Sequence, residues 1–240
     1  MKALFRQSRD SLGSREMMKK LREEGFRIGR YKVRHLMAKL NLIVKQRVAY
    51  KVTTRRNDND AVADNLLNQN FNPVATNQVW AGDITYLKTG EGWMYLAIVM
   101  DLYSRRIVGW AISKRMTTGL ICQAMIMAYN LRQPPRGLVF HSDRGSQYTS
   151  KRYRRLLKSY GVPSSMGDVG ACWDNAVVER FFGSLKHDWI FKIAQPTREH
   201  MRNDVAAYMR YYNLVRLHSA NGDQSPINYE KSLKKVSGLN

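Results

Sequence analysis

The sequence contains few of the residues that would build a disulfide framework, a zinc site or a membrane span. Cys122 and Cys172 are its only two cysteines, and they lie far apart in no paired motif, so we expect free thiols in a reducing compartment. The five histidines are scattered, without the spacing of zinc ligands. A hydrophobic run of about 18 residues, long enough for a transmembrane helix, is missing, as is the apolar part of a signal peptide. These absences predict a soluble, cytoplasmic protein without a membrane partner.

Acidic residues are also scarce relative to basic ones. The chain has 19 Asp and Glu against 40 Lys and Arg, a formal net charge of +21 at pH 7. A surplus of this size indicates a polyanionic partner such as nucleic acid. Residues 1–58 contain 17 Lys or Arg and 5 Asp or Glu, a net charge of +12 (17 − 5). More than half of the surplus therefore lies in less than a quarter of the chain.

The basic segment 1–58 has the pattern of two helices joined by a short turn. The first helix is predicted to begin at Ser14, whose side chain can cap it, and to stop at Gly25. The second is predicted to run from Gly29 to Asn41, after a connection as short as a helix-turn-helix requires. Residues 1–10 leave little room for a third helix. An ordinary basic helical hairpin is the alternative interpretation.

Basic side chains of the second predicted helix lie off its apolar side. In a helix-turn-helix they could meet phosphates or base edges of DNA. The candidate DNA-binding residues are Arg30, Lys32, Arg34 and Lys39.

The rest of the sequence predicts an α/β domain. Residues 59–77 are polar and are interpreted as a linker, residues 78–230 as the main domain with a C-terminal helix, and residues 231–240 as a basic tail. Within the domain, three strands between residues 78 and 113 have short connections, which favours an antiparallel meander. A Met-rich helix, a strand at residues 137–141, a basic helix capped by Ser150, a short strand at residues 162–165 and a further helix follow. The predicted order of elements is βββαβαβα.

Two aspartates are predicted to lie on strands of this domain. Asp83 falls in the middle of the first strand, where an unpaired charge is costly. Asp143 follows a short apolar strand, at the carboxyl end where open α/β sheets keep their chemistry. Carboxylates are hard oxygen ligands of the kind that binds Mg²⁺ or Mn²⁺. Together with a third acid on a later helix, Glu179, they indicate a divalent-metal site.

A third acid, Glu179, lies on the helix predicted after residue 174. Glu179 and Lys186 are seven residues apart (186 − 179), which is about two helical turns, so both are predicted to point the same way. Gly183 lies between them and suggests that something bulky approaches the helix, because a mid-helix glycine costs about 1 kcal/mol relative to alanine. The alternative is that Glu179 and Lys186 are two solvated charges beside an apolar stripe.

Other polar residues near these positions fit structural roles better. Asp174 is assigned mainly to capping, Asp168 to a loop beside the site, and Asp101 to a structural role near Arg105 and Arg106. His141 is expected to be packed or hydrogen-bonded.

Three sequence blocks resemble a known family. They are WAGDITYL around Asp83, FHSDRGSQYTS around Asp143 and DNAVVERFFGSLK around Glu179. This set resembles the integrase-type DDE transposases of bacterial insertion sequences. The 35 residues between Asp143 and Glu179 (179 − 143 − 1) match the spacing of that family, and Lys186 falls at its trailing lysine. The closing YNLVRLH and the Ser225-Pro226 pair resemble the family's last block, with Ser where Thr is commoner.

The resemblance implies a ribonuclease-H-like fold with a five-stranded mixed sheet and a small N-terminal helix-turn-helix segment. It implies that Asp83, Asp143 and Glu179 are the catalytic residues and hold Mg²⁺ or Mn²⁺, as two ions, and that Lys186 contacts DNA. The reaction would be DNA strand cleavage followed by transfer of the 3′-hydroxyl end, the first transfer joining the two ends of one element. The expected partners are element ends and target DNA, a homo-oligomer on DNA, and an upstream-frame protein as fusion partner.

Two other functions remain open from the sequence. A nuclease of the same fold, such as a ribonuclease or junction resolvase, would share the three acids but would not need the helix-turn-helix. A non-enzymatic DNA-binding regulator would explain the basic segment but would leave the placement of the acids to coincidence.

Overall fold

The computed structural model describes residues 1–44, 73–167 and 176–236. The predicted boundary between the basic segment and the linker, at residues 58 and 59, lies outside these ranges. So do Asp168, Cys172 and Asp174. Within the described ranges, no helix is both long and apolar enough to cross a membrane.

A five-stranded mixed sheet forms the centre of the larger domain, as predicted. The strand order is β3-β2-β1-β4-β5. β1 and β2 are antiparallel, as are β2 and β3, whereas β4 pairs with both β1 and β5 in parallel. The strands are β1 Val79–Thr89, β2 Gly92–Asp101, β3 Ile107–Ser113, β4 Val139–Ser142 and β5 Ser164–Met166. The antiparallel meander followed by two parallel strands agrees with the predicted order of elements.

Nine α-helices surround the sheet or precede it in the described ranges. A π-helix, Leu185–Trp189, and a 3₁₀-helix, Ile190–Lys192, follow α7. The α-helices are α1 Lys2–Gln7, α2 Ser14–Glu23, α3 Arg30–Lys39, α4 Thr118–Arg132, α5 Ser146–Thr149, α6 Lys151–Ser159, α7 Ala176–Ser184, α8 Arg198–Leu214 and α9 Pro226–Val236. α9 continues past the predicted end of the domain at residue 230.

Helices cover both faces of the sheet because side chains alternate along each strand. In β1, Val79 and Leu87 belong to a core cluster that includes Phe181 of α7 and Tyr208 of α8. Trp80 points to the opposite cluster, which holds the buried residues of α4 and α6. The sheet is thus the middle layer of three.

The N-terminal segment differs from its prediction in two details. Residues 1–10 do contain a helix, α1, and its Phe5 packs with Met17, Leu21, Val33 and Met37 in a separate small core. The expectation that this stretch leaves little room for a third helix was wrong, because a helix of six residues is enough to bury one aromatic ring. Ser14 is the first helical residue rather than the cap, and Gly13 holds the cap position without a side-chain hydrogen bond.

The N-terminal segment packs on the larger domain through a buried carboxylate. Arg9 donates to Asp204 of α8 with both terminal nitrogens, one bond measuring 2.9 Å. The guanidinium of Arg9 also lies over the Trp189 ring, 4.1 Å from its centroid. Lys19 of α2 adds an ion pair of 2.7 Å with Asp223. The segment and the domain are therefore tied by charge–charge contacts.

A second ion network joins α9 to the sheet. Glu230 accepts hydrogen bonds from Ser104 at 2.7 Å, Arg106 at 2.6 Å and Arg132 at 2.8 Å. Arg132 also donates to Asp101, which is fully buried. Asp101 is structural, as predicted, but its ionic partner is Arg132 of α4 rather than the neighbouring arginines. Glu230 was missed, because nothing in the local sequence links it to residues about a hundred positions away.

Glu230→Ala is expected to destabilise the protein by about 3 kcal/mol, since breaking a buried ion pair leaves its cations uncompensated. Burial raises the pKa of Glu230, but hydrogen bonds from Arg132, Ser104 and Arg106 outweigh it and lower the pKa below its ordinary value of 4.5. The network therefore stabilises the fold above that pH, and its contribution is lost as the pH falls below it. Urea unfolding at pH 7 and at lower pH measures both effects.

Glu24→Ala is the matched control, because Glu24 is an exposed carboxylate at the end of α2. Its removal should leave stability nearly unchanged. Equal stability of the Glu230→Ala and Glu24→Ala proteins at pH 7 would contradict the importance of the network.

Candidate active site

Asp83 and Asp143 lie on neighbouring strands. β1 and β4 run in parallel with Gly82 opposite Ser142. The residue that follows each of these two is an aspartate. Asp83 is still within β1, opposite Ile98 of β2. Asp143 is the first residue beyond β4. The sequence placed these two acids together correctly, because the fold sets the order of strands and the apolar pattern sets their ends.

Short local hydrogen bonds orient both carboxylates. Oδ1 of Asp143 accepts from the Gly145 backbone N–H at 3.0 Å, in the turn that leads into α5. Oδ1 of Asp83 accepts from the Ile84 N–H at 2.7 Å. Each acid thus has one oxygen held by the backbone of its own strand or turn.

Tyr148 of α5 is a further member of the site that the sequence reasoning missed. Its side chain is buried, and burial raises the pKa of the phenol well above its ordinary value, with added contributions from Asp83 and Asp143. The only signal in the sequence was its position inside the Asp143 block.

Lys186 lies close to Asp83. Its ammonium is 4.7 Å from the centroid of the Tyr86 ring, a cation–π contact. Burial lowers the pKa of Lys186, and the negative charge of Asp83 acts in the opposite direction. Lys186 is therefore half-buried against β1, which differs from a solvated surface lysine.

Glu179 is exposed on α7. Among the side chains that the structure describes, no three His, Cys, Asp or Glu lie close enough together to hold a metal ion. The structure thus brings together Asp83, Asp143 and Lys186, and leaves Glu179 outside such a group. A π-helix, whose turns are wider than those of an α-helix, begins at Leu185. The spacing of Glu179 and Lys186 alone therefore does not fix their relative directions.

The surroundings of Gly183 are open in the described part of the chain. Apart from the backbone of α7 itself, a Cβ built on Gly183 would have no neighbouring atom within 4 Å. The predicted bulky neighbour is therefore not supplied by the described residues and stays a prediction. The helix presents an open face here.

His141 is buried, and its Nδ1 lies 3.1 Å from the Ser165 hydroxyl of β5. The expectation of a packed, hydrogen-bonded histidine is confirmed. His141 therefore links β4 to β5 beneath the acids.

The candidate DNA-binding residues are exposed on α3. Val33 and Met37 face the small core of the N-terminal segment. The basic residues lie outside that core. The exposed members are Arg30, Lys32, Arg34 and Lys39.

The chemistry of the donors at the sheet fits a hard divalent cation. Asp83 and Asp143 offer carboxylate oxygens on adjacent strands, and Mg²⁺ is usually bound through one or two carboxylates. Two acids placed so close favour a cation between them, since like charges repel.

Family comparisons cover nearly the whole chain. Two families, both described as Integrase core domain, match residues 73–172 and 160–226, and one described as HTH-like domain matches residues 1–50. An uncharacterized 31 kDa protein of insertion element IS600 from Shigella sonnei is 39% identical over 230 residues, covering 95% of this chain and 85% of the relative. Transposase InsF for insertion sequence IS3A from Escherichia coli is 41% identical over 229 residues, with 95% and 80% covered.

Solved structures share the fold at low sequence identity. The catalytic core of HTLV-2 integrase, in complex with magnesium, is 20% identical with a TM-score of 0.53, over 65% of this chain and 98% of that one. A chain of a simian T-cell lymphotropic virus intasome is 17% identical with a TM-score of 0.56, over 88% and 73%. These likenesses confirm the ribonuclease-H-like fold expected from the sequence. Taken with the relatives of about 40% identity, they lead to one conclusion: the chain belongs to the insertion-sequence transposases that combine a helix-turn-helix-like segment with an integrase core.

Proposed function

We propose that this protein is a DNA transposase that cleaves DNA strands at the ends of an insertion sequence and joins the freed 3′-hydroxyl ends to new positions. The observation that carries the proposal is the pair Asp83 and Asp143 on adjacent strand positions, with Lys186 beside them. Family membership supplies the reaction class, and the net charge of +21 suits a polyanionic substrate. A ribonuclease, a junction resolvase or a pure DNA-binding regulator is less well supported, because the relatives of known name are transposases.

Asp83, Asp143 and Glu179 would hold Mg²⁺ or Mn²⁺, as two ions. When bound, such ions stabilise the charge on the entering and leaving oxygens of a phosphodiester. Glu179 would join the two aspartates only with the cations present, because three carboxylates without a counter-charge repel one another.

The protein's own groups would then orient the DNA. The ammonium of Lys186 is held against Tyr86 and beside Asp83, where it could contact a phosphate or base next to the reacting bond. The exposed basic residues of α3, Arg30, Lys32, Arg34 and Lys39, would bind the DNA backbone farther along the duplex.

Assembly is part of the same proposal. Two element ends have to be joined, so we infer a homo-oligomer on DNA, and fusion to an upstream-frame protein would add further DNA-binding contacts. Incubating this chain alone with candidate element ends and Mg²⁺ tests whether it needs that partner.

Replacing any one of the three acids is expected to abolish cleavage while leaving DNA binding nearly intact. Each change removes one metal ligand but little of the surplus charge. The variants are Asp83→Asn, Asp143→Asn and Glu179→Gln, compared by strand cleavage and by fluorescence anisotropy on the same labelled duplex.

Asp174→Asn serves as the control, since asparagine caps a helix about as well as aspartate, and it should keep most activity. Cleavage that survives Glu179→Gln but disappears in Asp174→Asn would show that the third acid is misassigned.

Lys186→Ala is expected to slow cleavage and strand transfer by about 10²-fold, because small misplacements of the reacting strand have effects of that size. Bulk DNA affinity should barely change, given the many remaining basic residues. Lys186→Arg should recover only part of the rate, since a planar guanidinium does not present its charge as a compact ammonium does. Circular dichroism checks folding, and wild-type rates in a folded Lys186→Ala protein would remove this residue from the site.

A further inference from the structure

A groove separate from the acid pair lies between the N-terminal segment and the larger domain. Its volume is about 580 Å³, which is within the range of small-ligand sites. α2 contributes one wall, and α7, the end of α8 and the β2–β3 loop contribute the others. The charged and titratable side chains that line it include Arg105, Arg180, Arg216, His218, Asp188 and Glu16.

Positive charge predominates in this groove. Arg105, Arg180 and Arg216 all line it. No carboxylate in the described parts of the chain forms an ion pair with Arg105 or Arg180, and Arg216 is 3.9 Å from Asp188. Glu16 already pairs with Lys19 at 3.2 Å. Three guanidinium groups therefore share a partly buried space with one weak anionic contact.

Within the described structure, Arg105 has an unpaired buried nitrogen and a strained backbone conformation. Its Nη1 is buried without a hydrogen-bond partner among the described residues. Its backbone has φ of +62°, a left-handed conformation that favours glycine or asparagine over arginine. Burial lowers the pKa of Arg105, and the nearby Arg180 acts in the same direction. Tyr212 and the charge of Asp101 oppose this shift of the pKa without cancelling it. Strained backbone of this kind concentrates at binding and catalytic sites.

Arg216 and His218 complete a set of donors around the groove. Arg216 donates to the Ser184 hydroxyl at 3.1 Å, which fixes the guanidinium against α7. Burial lowers the pKa of His218 to about 3, with Arg216 and Arg105 adding to the effect, so the imidazole is neutral at pH 7 and keeps one N–H. Its Nε2 is buried and has no partner within the described structure.

We infer that this groove binds a phosphate group, and that the phosphate is a backbone phosphodiester of DNA. Guanidinium groups present planar forks of N–H donors that match phosphate oxygens. A phosphate would give Arg105 and Arg180 the anionic partner that the described part of the chain does not provide. The choice of DNA as the source of the phosphate rests on the proposed function. The prediction that the groove binds a phosphate group does not.

The first experiment titrates the protein, in EDTA, with the dinucleotide TpT, which carries one phosphodiester. Wild type should bind TpT measurably, and the uncharged methylphosphonate analogue should not bind. Arg105→Gly and Arg180→Ala should each weaken binding about tenfold, as expected for removal of a charged hydrogen bond. Arg136→Ala is the control, because it removes an exposed arginine far from the groove in the turn before β4.

Stability separates a binding role from a structural one. Glycine adopts a left-handed backbone without strain, so Arg105→Gly should melt at the wild-type temperature or above it while binding TpT more weakly. A structural arginine would instead give a lower melting temperature and unchanged TpT binding, and that result would overturn the inference. Absence of TpT binding by wild type would also overturn it.

The second experiment identifies the source of the phosphate. With a labelled duplex, the slope of log affinity against log salt should fall by about 0.9 for each DNA phosphate that a variant no longer neutralises. We expect that decrease in the double variant of Arg105→Gly with Arg180→Ala and a smaller one in Arg136→Ala. Tight binding of inorganic phosphate together with an unchanged slope would overturn the assignment to DNA. TpT binding is measured in EDTA and without cleavage, so a failure of the proposed cleavage reaction leaves this test intact.

Discussion

The parallel pairing of β1 with β4 is the constraint on which the site depends. A parallel register fixes which residues of two strands stand side by side, and here it sets Gly82 opposite Ser142. The two aspartates that follow are adjacent for that reason alone. A shift of one residue in either strand would turn one acid to the opposite face of the sheet. The relative position of the two aspartates is therefore set by the strand pairing of the sheet.

Local sequence patterns predicted the elements that depend on local physics. Alternating or continuous apolar runs indicated the strands, and Ser150, which accepts from the Tyr153 N–H at 3.3 Å, caps α6 as expected. The order of elements, read with the family resemblance, predicted the fold and the adjacency of Asp83 and Asp143. These features are set by residues close in sequence or by a topology that many chains share.

Features that depend on distant residues could not be predicted in the same way. The π-helix at Leu185 interrupts α-helical geometry without any glycine or proline inside it. Glu230 and Asp204 look like ordinary helix-surface acids in the sequence, but each lies buried beside arginines from other elements.

α7 separates two regions of opposite charge. Glu179 and Arg180 are neighbours on this helix, and both are exposed. Arg180 lines the basic groove, while Glu179 is the proposed third ligand of the acid site. The acid site favours a cation and the basic groove favours an anion. A DNA strand with bound metal ions would therefore supply a charge of the right sign to both regions.

The contact of Arg9 with Asp204 links the N-terminal segment to the helical turn that follows the site. Asp204 is 5% exposed and also accepts from the Trp189 indole at 3.0 Å, and Trp189 closes the π-helix that contains Lys186. A protein that lacks its first residues would keep a buried carboxylate without the Arg9 cation beside it, and Trp189 would no longer have the guanidinium stacked on its ring. Shortening the chain would thus disturb the supports of Lys186. If a shortened protein fails to act on DNA, the displacement of Lys186 would contribute to that failure along with the loss of the basic N-terminal residues.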